Sequence, residues 1–69
     1  MIEKRVVVVN GMTGQEIPLW LSKGETPTEI VRQAGLPDCQ LARVSDRQVL
    51  PEHCDVARSV EDGEHLFAF

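Results

Sequence analysis

The chain has 69 residues, with seven Lys and Arg against eleven Asp and Glu and a net charge of −4 at pH 7. So short a chain makes one domain with one thin core, burying only ~60% of its unfolded surface, and it leaves little room for a catalytic cleft. Its acidic balance and scattered basic residues argue against nucleic-acid binding, which needs clustered cations to displace counterions.

No apolar run approaches the ~20 residues of a membrane span. The opening MIEKRVVVVNG carries a basic pair before its valines, but those valines are too few for a secretory h-region. Two cysteines, Cys39 and Cys54, are too few for the disulfide framework of a small secreted domain. A soluble protein of a reducing, cytoplasmic compartment is expected.

Lys4 to Asn10 predicts a strand, because its consecutive valines are β-branched and stiff at χ1. The unbroken apolar run suggests a central strand covered at least partly on both faces. Asn10-Gly11 and Met12-Thr13-Gly14 supply turn chemistry. Glu16 to Leu21 then alternates with period two, Ile17, Leu19 and Leu21 on one face and Glu16, Pro18 and Trp20 on the other. Pro18 cannot donate to a ladder, which places this strand at a sheet edge. These two strands form a hairpin.

Thr26-Pro27-Thr28-Glu29 has the form of a capping box with proline at the first helical position. Ile30, Val31 and Ala34 give the following helix an apolar face, and Gly35 with Leu36-Pro37 ends it after two to three turns. Gln40 to Val44 predicts a third strand, Ser45-Asp46-Arg47 a turn, and Gln48-Val49-Leu50 a short fourth strand stopped by Pro51. Glu52 to Val60 is expected to be irregular, Glu61-Asp62-Gly63-Glu64 a tight turn, and His65 to Phe69 a last strand. The resulting β-β-α-β-β-β order is that of an α+β domain with one helix on one face of a mixed sheet.

This order, with Val9-Asn10-Gly11 at the first hairpin, Glu29 through Pro37 on the helix and Glu61 through Phe69 at the end, resembles the β-grasp fold of ubiquitin and of the sulfur carriers of thiamin and molybdopterin synthesis. The Ala-Gly-Leu-Pro helix end and the Asp-Gly-Glu-His turn are most similar to bacterial multiubiquitin-type domains. The resemblance spans residues 1–69 as a single ubiquitin-like domain. It implies a protein modifier, not an enzyme, without cofactor or metal, read by an E1-like adenylating enzyme, an E2-like protein and a JAB-type peptidase. Modifiers of this kind end in a flexible Gly-Gly tail, whereas this sequence ends at Phe69. A native chain that continues further, a processed end that lies elsewhere, or a non-covalent β-grasp adaptor that is not itself conjugated are the expectations that follow; sulfur carriage is the weaker alternative.

The expected binding surface lies on the sheet face away from the helix. Trp20 points opposite to Ile17, Leu19 and Leu21, and placing Leu66 inward sends Phe67 and Phe69 outward. Arg43 and the outward valines of the first strand are expected to border this patch. The bland alternative is that the 52–60 loop covers these aromatics or that Phe67 and Phe69 fill the core. Glu52-His53-Cys54-Asp55 holds metal-ligand residue types without the spacing of a closed site. A Cys54–His65 or Cys39–His53 nucleophile pair has no supporting signature. The acidic Glu61, Asp62 and Glu64 form a solvated turn or a docking point for a basic surface.

Overall fold

The structure, a computed structural model, describes residues 4–69. Four strands and two helices follow in the order β1 (Lys4–Asn10), β2 (Glu16–Leu21), α1 (Pro27–Gln33), β3 (Leu41–Arg43), α2 (Val56–Ser59) and β4 (His65–Ala68). The strands make one mixed sheet in the spatial order β2-β1-β4-β3. β1 and β2 pair antiparallel, β1 and β4 parallel, and β3 and β4 antiparallel. The valine strand is thus central, as its apolar run requires, and β2 with Pro18 is an edge.

Proline sits at that edge without loss to the ladder. The Val7 N–H donates to the Glu64 carbonyl at 3.1 Å and so faces β4. Val7 is paired with Pro18, which makes this a non-hydrogen-bonded pair whose second nitrogen points outward to solvent. An edge that lacks its middle donor is a poor template for a further strand.

The inward side chains follow the register. Val6 and Val8 of β1, Leu21 of β2, Leu41 of β3, and Leu66 and Ala68 of β4 are buried on one face. Ile30 and Val31 of α1 close over them together with Val56, Ala57 and Val60. Removing the fully buried Leu66 from water contributes about 1.5–3 kcal/mol by area alone.

α1 begins and ends as its sequence demands. The Glu29 carboxylate accepts the Thr26 backbone N–H at 3.3 Å and the Thr26 hydroxyl at 3.2 Å, and Ile30 N–H closes the first turn on the Thr26 carbonyl. At the other end Gly35 takes φ 73°, with Gly35 N–H bonded to the Arg32 carbonyl and Leu36 N–H to that of Val31. That pair of bonds is a Schellman stop.

Two expectations need correction. The fourth strand at Gln48–Leu50 is reduced to an isolated bridge between Ala42 and Val49. The Ser45–Arg47 turn leaves three residues before Pro51, which has no N–H to extend a ladder. The stretch 52–60 is not wholly irregular either, since α2 occupies Val56–Ser59. The order is therefore β-β-α-β-α-β.

α2 has four residues, too few to stand by its own hydrogen bonds. Its ends are held from elsewhere in the chain. Val56 N–H donates to the Glu25 carbonyl at 2.9 Å. Lys4 Nζ donates to the Ala57 and Val60 carbonyls at 2.7 and 2.8 Å, and Arg43 Nη1 to the Ser59 carbonyl at 2.8 Å. Two cations thus satisfy carbonyls that a helix C-terminus leaves orphaned. Glu25, the one buried charged residue among those described, ties the preceding loop by accepting the Ser22 N–H at 2.6 Å and the Gln33 side-chain amide.

Candidate protein-interaction face

The helices cover one face of the sheet. The alternation of the strands sends Arg5, Val7 and Val9 of β1 to the other, with Glu16, Pro18 and Trp20 of β2 and His65 and Phe67 of β4. Three rows result. Arg5 stands beside Trp20; Val7 lies between Pro18 and His65; Val9 lies between Glu16 and Phe67, which in turn neighbours Ala42. Val44 continues the ladder by donating its N–H to the His65 carbonyl at 3.1 Å and is exposed.

The aromatics of this face are open to solvent. Trp20 is 62% exposed, Phe67 40% and Phe69 53%, so neither phenylalanine fills the core and the 52–60 segment does not cover them. Phe67 and Phe69 stack on one another with ring centroids 6.3 Å apart and planes inclined by 30°. Trp20 has its own companion, the Arg5 guanidinium, 5.8 Å from the ring centroid. A cation over an indole at an exposed site contributes ~0.5–1 kcal/mol and holds the ring in place.

Trp20 and the phenylalanine pair do not adjoin. Four residues along β1 and two strand spacings separate their rows, a diagonal of roughly 16 Å at about 3.3 Å per residue and 4.8 Å per strand. The half-buried Val7 and Val9 lie between them. The face is a shallow apolar diagonal with aromatics at both ends, bordered by Glu16, Arg5 and His65.

Arg43 is not part of it. Its pairing with Leu66 puts it on the helix-covered face, where the guanidinium reaches Ser59 and the Asp46 carboxylate at 2.5 Å. Period two within the strand already carried this signal, because Arg43 shares the side of the buried Leu41, whereas Ala42 and Val44 share the other. Val44, exposed and on the side of Ala42, borders the face instead. Val49, also exposed, follows Ala42 through their bridge.

One glycine shapes the phenylalanine end. Gly11 N–H donates to the Ala68 carbonyl at 2.8 Å, and a side chain at Gly11 would press on that oxygen and come within 2.9 Å of the Phe67 ring. Phe67 therefore lies down over the first hairpin, supported by backbone.

Cys39 and Cys54 are free thiols packed against the core cluster, while His65 stands on the open face, so Cys54 and His65 lie on opposite sides of the sheet. Among the described residues no three or more His, Cys, Asp and Glu side chains converge on a common point. None of the described helices is long and apolar enough to cross a membrane.

No protein-family model and no curated protein matches this chain. The candidate site therefore rests on geometry: a rigid sheet, closed by helices on one side and presenting exposed aromatics on the other.

Proposed function

We propose that the chain is a β-grasp, ubiquitin-like domain that acts as a protein modifier and is read through its open sheet face. The exposed diagonal of Trp20, Phe67 and Phe69 carries this reading. Exposed aromatics on a rigid frame are what protein partners use as binding anchors, since they bring large area at little entropic cost. The β-grasp assignment is supported by the parallel pairing of first and last strands at the centre of a mixed sheet, with the intervening helix on one face. The Ala42–Val49 bridge stands where the short fourth strand of that fold would lie.

On this reading the chemistry belongs to the partners: an E1-like adenylating enzyme, an E2-like protein and a JAB-type peptidase. The full-length native protein, incubated with ATP and its cognate E1-like enzyme, is expected to yield an adenylate or a covalent adduct visible by intact mass. Absence of both, with an enzyme shown to be active, removes the modifier reading.

The second reading is a non-covalent adaptor using the same face, and it is favoured by the fact that the face is complete within the sheet. Phe69 is held by exchanging both backbone hydrogen bonds with Gln40, at 2.8 and 3.0 Å. Partner binding abolished by Phe67→Ala, with no adduct formed by the wild type, selects the adaptor.

A further inference from the structure

Beyond the open face, a groove of about 760 Å³ runs between the start of α1, the 38–40 loop and the 49–52 segment. That volume lies in the ~300–1,000 Å³ range of sites that enclose a short ligand. Its floor is closed by Val31, Leu41 and Leu50, and its walls carry Val49, Pro51 and Phe69. The two charged side chains on its lining, Asp38 and Glu52, are both carboxylates. Both are exposed, and neither has an ion-pair partner among the described residues.

The backbone at the rim is also unspent. Arg43 N–H donates to the Gln48 carbonyl at 2.9 Å and Leu50 N–H to the Leu41 carbonyl at 2.8 Å. These bonds flank the Ala42–Val49 bridge and make it a non-hydrogen-bonded pair, so the N–H and C=O of Val49 point away from β3. An outward donor and acceptor on one residue is the minimal docking edge for another extended chain. This edge has no proline at its centre, unlike β2 at the opposite side of the sheet.

We infer that this groove binds a short extended peptide segment bearing apolar side chains flanked by lysine or arginine. The segment pairs its backbone with Val49, seats an apolar residue against Leu50, Pro51 and Phe69, and places its cations near Asp38 and Glu52. The acidic lining and the net charge of −4 oppose an acidic segment by the same physics. The groove shares Val49 and Phe69 with the margin of the open sheet face, but Asp38, Leu50, Pro51 and Glu52 lie outside that face, so a peptide read through them is tested apart from the modifier reading.

The test is an NMR titration of the isotope-labelled chain with a capped six-residue peptide of two central leucines flanked by lysines. Amide shifts are expected at Gln40, Val49, Leu50 and Glu52, with those of Arg5 and Trp20 unmoved. Replacing the lysines by glutamates weakens binding by about fivefold or more, and so does the double variant Asp38→Asn, Glu52→Gln, as expected for two exposed ion pairs. N-methylation of the central leucine amides abolishes the Val49 shift. Both substitutions of this double variant are exposed polar changes that leave the core intact. No shift up to millimolar peptide, shifts confined to the open face, or equal affinity for the glutamate peptide would each overturn the inference.

Discussion

Gly11→Ala is the sharpest test of how the phenylalanine end of the open face is built. The added methyl would collide with the Ala68 carbonyl oxygen and meet the Cε2 and Cζ atoms of Phe67 at 2.9 Å. Gly11 is not among the residues with positive φ, so the cost comes from crowding and not from backbone strain. Overpacking of this kind costs about 1–3 kcal/mol. Loss of the Gly11–Ala68 hydrogen bond adds ~0.5–1.5 kcal/mol, and reduced freedom of the unfolded chain returns about 0.4–1 kcal/mol. The balance is a destabilisation of roughly 0.5–4 kcal/mol, or a Tm lower by about 2–30 °C for a chain of this size. Urea unfolding followed by far-UV circular dichroism measures it. Gly35→Ala is the contrast: nothing lies within 4 Å of its added methyl, and its φ of 73° makes the cost a conformational one of about 1 kcal/mol. Adding Phe67→Ala to Gly11→Ala relieves the ring contact but not the contact with the carbonyl, so rescue should be partial. A Gly11→Ala protein as stable as wild type would refute the close approach of β4 to the first hairpin.

Lys4→Met keeps the stem of the side chain but leaves the Ala57 and Val60 carbonyls without their donor, and is expected to lower stability by about 1–3 kcal/mol in urea titration. An unchanged midpoint would mean that α2 is held without it. Leu66→Ala should cost about 2–5 kcal/mol as a core cavity, whereas Trp20→Ala, at an exposed site, should shift stability by no more than about 1 kcal/mol. If Trp20→Ala is the costlier of the two, the assignment of faces is inverted. Cys39 and Cys54 should titrate as two free thiols in urea without prior reduction; fewer would reveal a bridge.

The parts legible in the sequence were those fixed by local chemistry. Thr26-Pro27-Thr28-Glu29 and Gly35 mark the ends of α1 because caps depend on residues a few positions apart. Pro18 announces an edge strand, and the outward setting of Phe67 and Phe69 follows from Leu66 by period two alone. What stayed hidden depends on partners distant in the chain. α2 exists because Lys4, Glu25 and Arg43 supply bonds to it across long stretches of sequence. Arg43, expected at the border of the binding patch, lies on the helix-covered face through its register with Leu66. The separation of Trp20 from Phe67 is hidden too, since alternation assigns a face but not a distance along it.

The parallel pairing of β1 with β4 joins residues 7–10 to residues 65–68. A chain emerging from the ribosome therefore exposes its valine strand while the intervening residues are made, at about 5–20 residues per second, before the strand that covers its other edge arrives. Non-local pairing of this kind slows folding, because loop closure must precede the contacts that reward it. An uncovered run of four valines is also a template for aggregation, and the Lys4-Arg5 pair at its entrance acts as a charged gatekeeper during that interval. The same two residues later hold α2 and Trp20 in place, so their charge serves the nascent chain first and the finished fold afterwards.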